Sequence, residues 1–208
     1  MAIERKELKD VSSNTRAAFQ KAQDVVRKDN IDYGIDLLKA IVLREPGFMD
    51  ARQALREAET IKASRMGGFS KIMASLKMNK FILQGKSCIT KQPLNAMKFA
   101  EEAIAVNPKS GAGFNLLAEA AANAGANFIA IDALETLKAI NPDDESNLKR
   151  LAEIYQADDQ GLKVLQIRQI LASRHPENLE AQAALRSAAA LATMEKGHWN
   201  EAGSSVVK

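Results

Sequence analysis

The sequence predicts an all-α protein built from repeated helical hairpins, and three observations carry that prediction. Four of the five prolines, Pro46, Pro108, Pro142 and Pro176, close similar apolar-rich segments at intervals of 62, 34 and 34 residues. A proline removes a backbone donor and clashes with the preceding turn, so a recurring proline marks a recurring helix end. The segments before them, residues 34–41, 96–103, 130–137 and 164–171, carry small or apolar side chains at near-helical spacing. No stretch alternates apolar and polar residues between hairpin turns, as a half-buried strand would. A fixed period of this length is the signature of stacked supersecondary units, each needing its neighbour to cover its apolar face.

Taken in order, residues 1–14 form a charged lead-in and 15–48 the first repeat, ending at Pro46. The interval of 62 is 34 plus 28, as though a further repeat of altered length lay between the first two prolines. Residues 49–76 are therefore assigned to an irregular repeat or insertion. Gly67-Gly68 breaks a helix begun near Met49, and Phe69, Ile72, Met73 and Leu76 then recur at i, i+3, i+4 and i+7 with Lys71, Lys77 and Lys80 interleaved. Repeats follow at 77–110, 111–144 and 145–178. Residues 179–208 read as a partial repeat or capping helix, with a turn at Gly197-His198 and a second helix opening at Trp199. That ending fits either a cap or a fragment of a longer repeat protein.

These units resemble the tetratricopeptide repeat family. The match is fullest in 111–144, with Phe114, Leu117, Ala118, Gly125, Ala130, Leu134 and Pro142 at the family's characteristic positions. Its departures are Ala121 in place of Tyr and Leu137 in place of a small residue. Residues 145–178 supply Leu148, Leu151, Ala152, Tyr155, Val164, Leu171 and Pro176, with Arg168 replacing an aromatic. The 77–110 unit keeps Leu83, Ala96, Ala100, Ala103 and Pro108 but has Lys80 where an aromatic belongs, and 15–48 keeps Ala22, Gly34, Leu38 and Pro46 with Lys21 in place of Leu. The resemblance implies a right-handed α-solenoid whose first helices line a concave groove for a partner's helix or extended segment. Carried over by position, the partner-binding residues are Phe81, Asn115, Glu119, Lys149 and Glu153. Glu119 and Glu153 would repel a C-terminal carboxylate, so the family's chaperone-tail mode of binding is not implied here.

Composition narrows the chemistry. With 46% hydrophobic and 26% charged residues over 208 positions, the chain has the makeup of a folded domain rather than a disordered one. One cysteine, Cys88, and two histidines, His175 and His198, exclude a disulfide framework and a Cys/His-rich zinc site. Gly111-Ala112-Gly113 follows a helix end instead of a strand and lacks the third glycine of a dinucleotide fingerprint, and Gly85-Lys86-Ser87 lacks the earlier glycine of a phosphate loop. No catalytic set emerges, and no cofactor, metal or small-molecule substrate is expected. The charged N-terminus and the want of a long apolar run predict a cytoplasmic protein.

The net charge of +3 hides an asymmetry. Residues 61–91 hold seven basic side chains and no acidic one, which leaves the remainder at −4. Three uses of this segment compete: lysines facing water around a packed helix, docking on an anionic membrane surface or acidic partner through Phe69, Lys71, Met73, Lys77 and Lys80, and nucleic-acid binding, which the scarcity of interleaved aromatics disfavours. The sequence therefore predicts a non-catalytic adaptor that binds a protein or peptide, with membrane-surface or nucleic-acid association through 61–91 as the alternative.

Overall fold

The computed structural model describes residues 3–204, the side chains of 68–75 and 196–204 excepted. Among the described residues ten helices succeed one another: α1 (Ser13–Arg27), α2 (Ile31–Arg44), α3 (Met49–Ser64), α4 (Gly68–Cys88), α5 (Pro93–Val106), α6 (Gly111–Asn123), α7 (Asn127–Ile140), α8 (Glu145–Ala157), α9 (Gly161–Arg174) and α10 (Leu179–Ser204). The only extended pairing there is one bridge between Lys6 and Phe48. Among the described residues the fold is all-α, a succession of repeated helical hairpins, and it divides into two compact units, Met1–Ile129 and Ala130–Lys208.

The 34-residue period is written into the turns. The backbone N–H groups of Ser110, Asp144 and Asn178 donate to the carbonyls of Asn107, Asn141 and His175 at 2.9, 3.3 and 3.0 Å, each closing a tight turn around a proline. The same three residues then cap the next helix: Ser110 Oγ accepts from Gly113 N at 3.0 Å, Asp144 Oδ1 from Asn147 N at 3.0 Å and Asn178 Oδ1 from Ala181 N at 3.1 Å. Each cap satisfies a donor that the helix start would leave bare. Within the hairpins, Asp29, Gly125 and Asp159 take positive φ values of 65, 70 and 54°, at one and the same position of their respective repeats. Left-handed backbone reverses the chain in few residues, and Gly or Asp tolerates it best.

In the first unit α1 and α2 form a hairpin, and α3 packs on α2 around Phe19, Leu38, Phe48 and Leu55, with the Phe19 and Phe48 rings edge to face at 5.1 Å. The N-terminal lead-in straps this core. Lys6 N donates to Gly47 O at 2.9 Å, and the Lys6 ammonium pairs with Glu45. A Cβ at Gly47 would lie 1.8 Å from the Glu4 carbonyl oxygen, so only glycine admits the strap. Further on, α4 pairs with α5, and α5 with α6. In the second unit α8 pairs with α9 and α9 with α10, around buried Leu148, Leu151, Tyr155, Val164 and Leu171.

Two expectations differ from the structure. α4 is one unbroken helix, so the expected division between residues 76 and 77 falls inside it, although Gly67 does interrupt the chain before it, with extended backbone. α10 likewise runs straight through Gly197 and His198, where the sequence predicts a turn. A lone glycine costs a helix only about 1 kcal/mol, and the alanine-rich stretch before it is a strong helix former.

If the hairpin turn is set by left-handed backbone, Gly125 tests it cleanly, because a Cβ there meets nothing within 4 Å. Gly125→Ala is expected to lower stability by about 1–2 kcal/mol in urea unfolding, and Gly125→Asn to recover part of that loss.

Candidate functional site

The residues assigned to partner binding fall into two sets, one in each unit. Asn115 and Glu119 sit one turn apart on α6, Asn115 half-buried and Glu119 exposed, while Phe81 on α4 is half-buried beside buried Ile82 and Gly85. Lys149 and Glu153 sit one turn apart on α8, both exposed, together with Ser146 and Gln156 on the same side. Behind this stripe Leu148, Leu151, Ala152 and Tyr155 are buried, and the Tyr155 hydroxyl donates to Glu135 at 2.7 Å. Phe69, Lys71 and Met73 lie outside the described side chains; Lys77 and Lys80 are exposed. Lys62 and Arg65, from the same basic run, pair with Asp32 and Asp29 at 2.6 and 2.7 Å.

The chemistry that sequence reasoning missed lies between α3 and α5. Aligning α3 to the repeat from Met49 places Arg52, Leu55, Arg56 and Glu59 at the fourth, seventh, eighth and eleventh positions, where the repeats 111–144 and 145–178 carry apolar packing residues. The structure buries Arg52, Leu55 and Glu59 and leaves Arg56 half-buried. Arg52 is 1% exposed and Glu59 1%. Glu101 of α5, also 1% exposed, meets both arginines, one carboxylate oxygen on Arg52 and the other on Arg56. Arg56 also donates to Glu59 at 2.7 Å, Arg52 donates to the Pro46 carbonyl at 3.2 Å, and the Arg56 guanidinium lies 5.6 Å from the centroid of the Phe114 ring. Nearby, Lys39 of α2 pairs with Glu102 of α5 at 3.1 Å. Charged residues interrupting an apolar stripe that otherwise reads Ala51, Leu55, Ala58 were the available signal.

The two buried carboxylates respond to this setting in opposite ways. Burial opposes the charge on Glu101, but the guanidiniums of Arg56 and Arg52 outweigh it and hold the carboxyl below its ordinary range. At Glu59 burial prevails over Arg56, and the pKa is pushed up to about 7. Its Oε1 is buried with no hydrogen-bond partner, which costs free energy chiefly when the group is charged. A cleft of about 210 Å³ opens beside this cluster, lined by Val42, Pro46, Arg52, Leu94, Met97 and Glu101. That is below the volume ligand pockets occupy, so the cluster reads as an ionic clamp between helices.

Two outcomes are expected of the clamp. Glu101→Ala strands the buried Arg52 guanidinium and takes from Arg56 one of its two carboxylate partners, and is expected to cost roughly 3–5 kcal/mol in urea unfolding. Glu59 works with the opposite sign to a paired carboxylate. Its pKa is raised on folding, so its contribution is complete below about pH 4.5 and is lost as the pH climbs through about 7. Measured against the parent chain, Glu59→Gln should therefore gain stability from pH 5 to pH 8, by at most on the order of 3 kcal/mol, and a difference that stays flat with pH would contradict the assignment.

No family model matches the chain, and no curated protein matches it. Solved structures are similar to it in fold. One is the crystal structure of MamA protein, 14% identical, aligned over 88% of this chain and 85% of that one with a TM-score of 0.44. Another is TTC0263, a thermophilic tetratricopeptide protein of Thermus thermophilus, 18% identical over 87% and 84% of the two chains with a TM-score of 0.40. A third is the tetratricopeptide domain of P58(IPK), 14% identical over 90% of this chain and 49% of that one, with a TM-score of 0.45.

Proposed function

We propose that the chain is a non-catalytic protein-interaction scaffold whose first helices present side chains to a partner's helix or extended segment. The observation that carries this reading is the exposed stripe of α8. Ser146, Lys149, Glu153 and Gln156 stand on one side of the helix at i, i+3, i+7 and i+10, over a buried row of Leu148, Leu151 and Tyr155. On α6 the same repeat positions give Ala112 and Glu119, also exposed. Rigid helices that hold mixed polar side chains at fixed spacing suit recognition of a segment with matching charges. Such a surface requires no cofactor and no small-molecule substrate. Among the described residues, no group of His, Cys, Asp and Glu has metal-site geometry, and no helix is long and apolar enough to cross a membrane.

Charge reversal tests the reading where packing is not at stake. Glu119→Lys and Lys149→Glu, both at exposed positions, should leave thermal unfolding within a degree or two. Each should remove or weaken by about tenfold the binding of partners captured from native extract by the parent chain. An unchanged captured set and unchanged affinities in both variants would refute the stripe as the binding surface.

A further inference from the structure

One helix of the first unit shows the solvent a side that α6 and α8 keep covered. In the repeat register, the fourth, seventh, eighth and eleventh positions of α6 are Phe114, Leu117, Ala118 and Ala121, all buried, and those of α8 are Leu148, Leu151, Ala152 and Tyr155, again all buried. The matching positions of α4 are Lys80, Leu83, Gln84 and Ser87. Lys80 and Ser87 are exposed, Gln84 is half-buried and Leu83 is 72% exposed. Leu83 holds a packing position of the repeat, yet it stands open. The reason lies in how α4 is turned. Ile82 and Gly85 face inward, and Gly85 admits Leu116 so closely that a Cβ would lie 2.4 Å from its Cδ2. Where α2 packs on α3 and α5 on α6, α4 follows α3 directly, and among the described residues only α5 and α6 pack substantially against it.

Among the described side chains, the charges on this side of α4 are of one sign. Leu76, 65% exposed, and Leu83 lie seven residues apart on the same face, with Lys80 between them and Lys77 and Lys86 at the margins. Those three lysines enter no ion pair among the described residues, in contrast to Lys6, Lys39, Lys62 and Lys138, which all do. Apolar contacts every seven residues with charges at the flanks are the pattern by which one helix receives another. We infer that this face of α4 docks an acidic amphipathic helix of a partner protein, its leucine-type seam on Leu76 and Leu83 and its carboxylates on Lys77, Lys80 and Lys86. This surface is separate from the α6 and α8 stripes and does not depend on them.

The test uses the full chain and three probes: a synthetic helix of about three heptads with leucines in the seam and glutamates at the flanks, its lysine-flanked twin, and vesicles rich in phosphatidylserine. The acidic peptide should bind, more weakly as salt rises, and the twin should not. Leu76→Ser/Leu83→Ser and Lys77→Glu/Lys80→Glu should each lose at least about tenfold in affinity with the helical circular dichroism unchanged. The charge-reversed variant should gain binding to the lysine-flanked twin, which a merely unfolded variant would not. Glu119→Lys/Lys149→Glu should bind the acidic peptide as the parent does, and so separates this surface from the proposed scaffold stripe. Absence of acidic-peptide binding, binding indifferent to the leucine pair, or retention on vesicles that is lost in the same variants while the peptide fails to bind would each overturn the inference.

Discussion

The carboxylate of Glu101 is the contact on which the first unit depends. It sits in a buried row of α5 between Met97, Ala100 and Ile104, and it is the group that lets α3 be buried at all. Two guanidiniums cannot leave water without a partner, and one carboxylate with two oxygens gives each of them a charged acceptor. An apolar replacement of the whole cluster would serve stability as well or better. What the ions add is selectivity: α3 accepts a neighbour only where that neighbour carries a negative charge, and α5 carries one in the middle of its packing face.

That requirement constrains the helix between them. With α5 engaged by α3 through long side chains and by α6 through close apolar contact, α4 pairs with α5 as well, and it meets α6 where Gly85 admits Leu116. A helix has one apolar stripe to give, and α4 gives the side on which glycine permits close approach. Lys80 resists burial and Leu83 stays with it in solvent, since the two share a face. The exposed leucine is thus a consequence of which residues flank it, and of α4 having only α5 and α6 packed substantially against it among the described residues.

Much of the fold was legible because it is written in turns and small residues. Pro108, Pro142 and Pro176 mark the ends of α5, α7 and α9, and Gly125 marks a left-handed turn, since proline and glycine act through the backbone regardless of their neighbours. The caps at Ser110, Asp144 and Asn178 repeat for the same local reason. The α3–α5 clamp was not legible. Arg52, Arg56 and Glu59 in a sequence look like the solvated face of a helix, and it is the distant Glu101, 49 positions along the chain from Arg52, that gives both arginines a charged partner inside the fold. The partner stripe stands in between. Repeat position marked Glu119, Lys149 and Glu153, which are exposed, whereas Phe81 was placed by a register that α4 does not keep, its seventh position being open instead of buried.

Charge sorts the surfaces by the partners they would accept. The α6 stripe carries Glu119 and the α8 stripe carries Lys149 and Glu153, a pattern that opposes a uniformly acidic segment and matches one of mixed sign. Among the described residues the α4 face carries only lysines around its leucines, a sign complementary to the acidic helix proposed for it. Lys62 and Arg65 start the same basic run yet are paired with Asp32 and Asp29 within the fold, whereas Lys77, Lys80 and Lys86 enter no ion pair among the described residues. A chain of net charge +3 can in this way present faces of different sign, and a partner suited to one of them would be electrostatically mismatched to the other.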